Sequence, residues 1–109
     1  MNEPENAQAK LPEQCETMAD VRLGVDTLDQ QIISMLATRF GYMDAAARIK
    51  TKRSAVRDEP RKALVIENAR SGAEKAGISG DLIARLWDQL VEHSIAHEFD
   101  EWDDIRAAK

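Results

Sequence analysis

The chain of 109 residues is poor in several residue types, and each scarcity excludes a class of protein. Cys15 is the only cysteine, so the chain can form no disulfide bond within itself, and its unpaired thiol suits a reducing compartment. Aromatic residues make up only 5% of the sequence and there are only five glycines, which favours helix over sheet. No run of about 18 apolar residues occurs, so we expect no membrane span.

Positive charge is also in deficit, since the formal net charge is −5 and the sequence pI is near 5.0. Nucleic-acid binding draws its affinity from clustered Lys and Arg, so DNA and RNA are not expected partners. The polar segment from Met1 to Pro12 has no apolar run that could serve as a signal peptide. We therefore expect a cytoplasmic protein.

What the sequence does contain is typical of one soluble, all-α domain. Apolar residues make up 43% and charged residues 32%, and Ala, Leu, Ile, Arg and Glu are abundant. Residues 1–16 are rich in Glu, Gln, Asn and Pro without periodicity, which predicts a flexible N-terminal arm. Residues 17–109 are predicted to form the helical domain.

Capping signals divide this domain into three helices. Thr17 followed by Asp20 has the form of a capping box and predicts a first helix over about 18–53. Asp58, followed by an acidic residue and a proline, predicts the start of a second helix, which Gly77 closes. A third helix is predicted from Ser79 or Gly80 to about residue 105.

The first helix is too long for a monomer of this size. At 1.5 Å per residue it would span roughly 54 Å, more than the width of a compact domain of this length. Its apolar residues recur every three or four positions and form a seam: Val21, Val25, Leu28, Ile32, Met35, Tyr42, Ala46 and Ile49. Such a seam needs cover from another chain, so the sequence predicts an intertwined homodimer.

Polar residues interrupt the faces that should be apolar. Arg39 stands in the seam, and Lys50, eleven residues on, projects within roughly 20° of it on an α-helix. On the third helix Ser94 and Glu98, one turn apart, interrupt the stripe that begins at Ile83. One interpretation is structural: Arg39 pairs with an acid inside the dimer and Lys50 extends to water. The other is a ligand site.

Taken together, the four polar residues favour the ligand site. Burying them would cost several kcal/mol unless they satisfy one another or a ligand. Arg22 lies about 100° around the helix from Arg39, so it would serve a partner subunit's pocket rather than its own. Several cations with a hydroxyl and a carboxyl suit a small dianionic substrate, without a metal or cofactor. His93 and His97 have i, i+4 spacing, but without a third ligand we predict a solvated helix face.

The residues resemble the all-helical chorismate mutases over everything after the N-terminal arm. The similar positions are Val21-Arg22, Val25-Asp26, Leu28-Asp29, Ile32, Leu36, Arg39, Ile49-Lys50, Val56-Arg57-Asp58, Arg61, Leu90-Val91-Glu92, Ser94 and Glu98. The family's fold is a dimer of three-helix chains with two pockets, each completed by an Arg from the opposite first helix. Arg22 matches that residue.

The resemblance also implies roles in the pocket. Arg39, Lys50 and Arg61 would hold the two carboxylates of the substrate, with Lys50 also near its ether oxygen. Asp58 and Ser94 would lie near the ring hydroxyl or ring carboxylate, and Glu98 would face the ether oxygen. The implied activity is the pericyclic rearrangement of chorismate to prephenate, which needs no cofactor.

Two alternatives remain open. The segment from Cys15 to Arg22 resembles the start of the isochorismate-pyruvate lyases, which share the fold and most of the pocket. Asp58 and Ser94 favour the mutase slightly. Glu98 departs from the Gln of many bacterial mutases, and Lys62 stands where an acid often follows the Arg61 position. A helical dimerisation module, or a domain that binds a metabolite without turning it over, is the second alternative.

Overall fold

A computed structural model of the chain describes residues 8–107, and its regular elements in that range are helical. Three α-helices follow one another: α1 is Met18–Ile49, α2 is Glu59–Lys75 and α3 is Gly80–Ala107. Two short 3-10 turns, Pro12–Gln14 and Arg53–Ala55, precede α1 and α2. The predicted all-α class with a long first helix is confirmed. None of the helices in the described range has the length and apolar character needed to cross a membrane.

The predicted helix starts are confirmed by their hydrogen bonds. Thr17 Oγ1 accepts from the backbone N–H of Asp20 at 3.1 Å, and Asp20 Oδ2 accepts from the backbone N–H of Thr17 at 3.3 Å. This reciprocal pair is a capping box. Asp58 Oδ1 accepts from the backbone N–H of Arg61 at 3.0 Å and so caps α2. The sequence therefore specified both helix starts locally.

Gly77 ends α2, as predicted, through its left-handed backbone. Its φ is 81°, a conformation that glycine adopts without steric cost. The N–H of Ile78 donates to the carbonyl of Ala73 at 3.0 Å, which is the long hydrogen bond of a Schellman motif. Ser79 Oγ then accepts a backbone hydrogen bond in the first turn of α3. The two helices are thus joined by a short, fully hydrogen-bonded turn.

The predicted end of α1 near residue 53 is wrong, since α1 ends at Ile49. The reason is a tertiary cap that local sequence does not contain. Side chains of Trp102 and Arg106, on α3, donate hydrogen bonds to the carbonyl of Lys50, and Arg106 also donates to the carbonyl of Ala47. Carbonyls of the last turn have no partner within their helix, so these donors stabilise the chain as it leaves α1.

The chain divides into two compact units, and the first extends to Arg39. In its described part, Lys10 Nζ lies 3.2 Å from Asp20 Oδ2. The pKa of Asp20 is lowered, first because the backbone N–H of Glu16 donates to its carboxylate and then because of Lys10. Residues 1–7 of the predicted arm lie outside the described range, and the predicted mobility of residues 1–16 stays a prediction.

The second unit begins at Phe40 and contains the hydrophobic core. In this unit α2 packs against α3. Val56, Val91 and Ile95 form the buried centre of the core, and Val56 is only 3% exposed. Partly buried side chains surround it: Val65, Ile66, Trp87, Phe99 and Trp102. The core therefore lies along α3, the helix that also carries the candidate residues Ser94 and Glu98.

Candidate active site

Lys50 and Glu98 form an ion pair in the second unit. Lys50 Nζ lies 2.7 Å from Glu98 Oε2, and the side chains are 29% and 5% exposed. Glu98 Oε2 is buried and accepts no hydrogen bond from any residue in the described range, so the contact with Lys50 is electrostatic without the alignment of a hydrogen bond. A buried carboxylate oxygen with one cation beside it and no aligned donor still has hydrogen-bonding capacity for a ligand.

Ser94 lies one turn before Glu98 on the same helix and is also buried. Its hydroxyl donates to the carbonyl of Leu90 at 2.7 Å, the bond to residue i−4 that serine often makes within a helix. Ser94 and Glu98 are the buried polar residues of the described range. Ser94 and Glu98 are therefore buried as predicted, whereas the apolar stripe predicted before them is only partly buried, since Leu86 is 53% exposed.

Asp58 and Arg61 lie at the start of α2, where Asp58 serves as the helix cap. The side chain of Arg61 is exposed. No hydrogen bond or ion pair joins either side chain to Lys50 or Glu98 within residues 8–107. Asp58 thus has a structural role that the resemblance did not imply, and the proposed substrate contacts of both residues stay predictions.

Arg22 and Arg39 lie on α1 in the first unit. Arg22 is exposed and Arg39 is half-buried. Exposure of Arg22 is compatible with donation to a partner subunit. The predicted participation of both arginines in one pocket with Lys50 stays a prediction.

A family model described as chorismate mutase type II matches residues 21–99. The chain belongs to this family. The matched range includes Arg22, Arg39, Lys50, Ser94 and Glu98, so the resemblance stated from the sequence is confirmed at the level of the family.

Two relatives of the chain have different names. An isochorismate pyruvate lyase of Pseudomonas aeruginosa is 30% identical over 99 residues, which cover 91% of this chain and 98% of the relative. A T-protein of Haemophilus influenzae is 31% identical over 84 residues, which cover 76% of this chain but only 22% of the relative. The chain therefore matches the lyase over nearly its whole length and the T-protein over about a fifth of that protein.

Sequence reasoning missed a network of charges that ties α2 to α3 in this chorismate mutase type II domain. The carboxylate of Glu92 lies 2.8 Å from Arg57 Nη2 and 2.6 Å from Lys62 Nζ. Lys62 Nζ also lies 3.1 Å from Asp88 Oδ1. Hydrogen bonds from Arg57 and then Lys62 lower the pKa of Glu92 from 4.5 to about 2. The same contacts raise the pKa of Lys62, with Glu92 the main cause. The partners are about 30 residues apart, so no local spacing reveals them.

His93 is exposed, as the prediction of a solvated face requires, and the side chain of His97 is 40% exposed but also contacts α1. His97 is half-buried, and its Nε2 lies 2.6 Å from Asp44 Oδ1. Its ring also meets Phe40 edge-on, with centroids 5.1 Å apart. Within residues 8–107 no group of three or more His, Cys, Asp or Glu side chains is arranged to hold a metal ion. The histidine therefore forms a polar link between α1 and α3.

Proposed function

We propose that the chain catalyses the pericyclic rearrangement of chorismate to prephenate. The observation that carries this proposal is the buried Lys50–Glu98 pair in a chorismate mutase type II domain. Chorismate carries two carboxylates and an ether oxygen, which cations and a hydrogen-bond donor can recognise. Charges buried at this depth cost free energy unless they satisfy one another or a ligand, and the Lys50 side chain is still 29% exposed beside Glu98, so its ammonium group can also meet a substrate.

The reaction needs no general base, so the pocket acts by folding and polarising the substrate. Arg39, Arg61 and Lys50 hold the two carboxylates and keep the enolpyruvyl arm over the ring, which removes conformational entropy before the reaction. Lys50 stabilises the negative charge that grows on the ether oxygen as the C–O bond lengthens, and Glu98 adds to this when its carboxyl is protonated and donates a hydrogen bond. A millionfold acceleration requires about 8 kcal/mol, and one well-placed donor supplies about 3 kcal/mol.

We propose that the active form is a homodimer in which Arg22 is donated across the interface. The predicted seam of α1 is largely exposed in the single chain: Val25 is 51% and Met35 is 63% exposed. Exposed apolar residues along one face of a helix indicate a surface that another chain covers. The unpaired thiol of Cys15 supports a reducing compartment, so we propose the cytoplasm as the place of the reaction.

A second candidate is the cleavage of isochorismate to salicylate and pyruvate. The similarity to the lyase of Pseudomonas aeruginosa, which extends over 98% of that protein, favours it. This cleavage proceeds through a 1,5-hydrogen shift and also needs no general base. The same cations would therefore bind either substrate. The conformation of the enolpyruvyl group over the substrate ring would decide which product forms.

One assay separates the two candidates. The purified full-length protein is incubated separately with chorismate and with isochorismate, and prephenate, salicylate and pyruvate are quantified by chromatography. We expect prephenate from chorismate at a higher kcat/KM than salicylate from isochorismate. The reverse order would establish the lyase, and conversion of neither substrate would indicate a non-catalytic module. Lys50→Ala is the control that excludes a contaminating enzyme, since it should abolish either reaction.

A further inference from the structure

The backbone carbonyl of Lys50 is held by two side chains of α3. Trp102 Nε1 donates to it at 3.1 Å and Arg106 Nη2 donates to it at 2.7 Å. Arg106 Nη1 donates to the carbonyl of Ala47 at 2.9 Å. These carbonyls lie where α1 ends and lack helical partners. The last two turns of α3 therefore fix the chain at the residue that bears the candidate catalytic ammonium group.

Arg106 is itself held in place. Its guanidinium carbon lies 4.2 Å from the centroid of the Trp102 ring, which is a cation–π contact. A guanidinium is a planar fork that presents several donors in fixed directions, whereas lysine offers one flexible point charge. Only an arginine at this position can serve two carbonyls at once while stacking on the indole.

Glu98, the partner of Lys50 Nζ, lies one turn before Trp102 on the same helix. One stretch of α3 thus fixes both the backbone of Lys50 and the position of its ammonium group. We propose that Trp102 and Arg106 are positioning residues, which act on the reaction by placing Lys50 beside Glu98. The proposal rests on the function proposed above and adds two residues to the machinery of the site.

Removing these contacts should lower the rate strongly, because the flexible side chain of Lys50 is then attached to a backbone that is no longer held in place. A displacement of 1 Å in a reacting arrangement can cost about a hundredfold in rate. We expect Arg106→Ala to lower kcat at least about tenfold. Trp102→Phe keeps an aromatic ring in the core but removes the N–H donor, so it should also lower kcat. KM should change less than kcat, because Arg39 and Arg61 still bind the carboxylates.

Asp103→Asn is the matched control. Asp103 accepts from Arg53 at 2.8 Å, and so it ties the same connecting segment to the same turn of α3 without touching Lys50. We expect this control to keep kcat within about threefold of the wild type, as for an exposed ion pair. Arg106→Lys should rescue only part of the activity. A control that loses as much kcat as Arg106→Ala would overturn the proposal.

A second measurement does not depend on turnover. Lysines of the full-length protein are modified with an amine-reactive reagent, and the rates at Lys50 and Lys52 are compared by mass spectrometry. In Arg106→Ala and Trp102→Phe we expect the rate at Lys50 to rise at least about threefold relative to Lys52. An unchanged ratio would overturn the proposal even if activity falls. A raised ratio in a protein whose wild type converts neither substrate would refute the proposed function but support the positioning role.

Discussion

The two units of the chain differ in how far their apolar side chains are buried. In the second unit Val56 is 3% and Ile95 is 8% exposed, whereas in the first unit Val25 is 51% and Ile32 is 47% exposed. The second unit therefore has a buried apolar core, although Tyr42 (69%) and Ile49 (70%) are exposed in it, whereas the apolar residues of the first unit have no such core within the described residues. The Lys50–Glu98 pair belongs to the unit with a buried core, while Arg22 and Arg39 belong to the unit whose apolar residues are exposed.

This difference teaches which part of the site is fixed by the chain alone. Lys50 and Glu98 meet through contacts within one unit, so their geometry does not require another chain. Arg22 is exposed on α1, and its predicted role requires a second chain. The site is thus expected to be half intrinsic and half a product of assembly.

The largest effect should come from the residues of the first unit. Arg22→Ala and Arg39→Ala should each lower kcat/KM at least about a hundredfold, because each removes a preorganised charge from every pocket. A mixed dimer of the two variants should regain activity, since one of its two pockets then contains both arginines. The measurement is kcat/KM of mixed dimers purified through two different affinity tags.

The two parent homodimers are the controls for that experiment. Mixed dimers as inactive as their parents would show that Arg22 and Arg39 act within the same chain. A compact and active monomer, observed by sedimentation at micromolar concentration, would contradict the homodimer itself. Either result would remove the distinction drawn between the two units.

In the second unit, Lys50→Ala should lower kcat/KM by at least about a hundredfold. The reason is the loss of the cation beside the ether oxygen, and the measurement is steady-state kinetics with whichever substrate is turned over. Lys52→Ala is the matched control, because Lys52 is an exposed lysine two residues further along the chain. Near-native kinetics in a folded Lys50→Ala variant would return the Lys50–Glu98 pair to a structural role.

The sequence predicted the elements whose determinants are local. The cap formed by Thr17 and Asp20, the cap at Asp58 and the left-handed turn at Gly77 all depend on residues within a few positions of one another. The burial of Ser94 and Glu98 was also predicted, because helical periodicity places both in line with the apolar residues Ile83, Leu86 and Leu90.

What the sequence did not predict depends on contacts between distant residues. The end of α1 is set by Trp102 and Arg106, more than fifty residues away. The pairing of His97 with Asp44 likewise joins residues 53 positions apart. An i, i+4 histidine pattern on one helix carries no information about which other helix packs against it. Such links require the tertiary fold, and they connect the candidate site to its surroundings.

A smaller effect, and one that depends on pH, is expected at Glu98. Only a protonated carboxyl can donate a hydrogen bond to the ether oxygen, so if the reaction uses this donor the activity of the wild type should fall as pH rises. Glu98→Gln is a permanent donor of nearly the same shape. The kcat/KM of Glu98→Gln should therefore change less with pH than that of the wild type, and above neutrality the variant should keep a larger share of its maximal activity. The measurement is kcat/KM from about pH 4.5 to 8.5.

The control for that profile is Glu101→Gln, which makes the same change three residues further along α3. It should keep the pH profile of the wild type. A flat wild-type profile, or equal loss in Glu98→Gln at every pH, would show that Glu98 acts as an anion or not at all. The unaligned oxygen Oε2 would then reflect only the packing of the second unit.

The smallest effect concerns the stability that the second unit gains from charges across its two helices. The pKa of Glu92 is about 2 in the folded chain, against an ordinary value of 4.5, chiefly because Arg57 donates to its carboxylate. A lowered folded pKa means that the contribution to stability is complete above the unfolded pKa and is lost as pH falls toward the folded one. Glu92→Gln should therefore be less stable than the wild type near neutrality. The difference in stability between the two proteins should narrow as the pH falls from about 5 to 3.

The measurement is the midpoint of urea unfolding at each pH. Glu13→Gln is the control, since it removes one negative charge from an exposed position of the first unit. A constant gap between the wild type and Glu92→Gln over this range would mean that the network of Glu92, Arg57 and Lys62 does not stabilise the packing of α2 on α3.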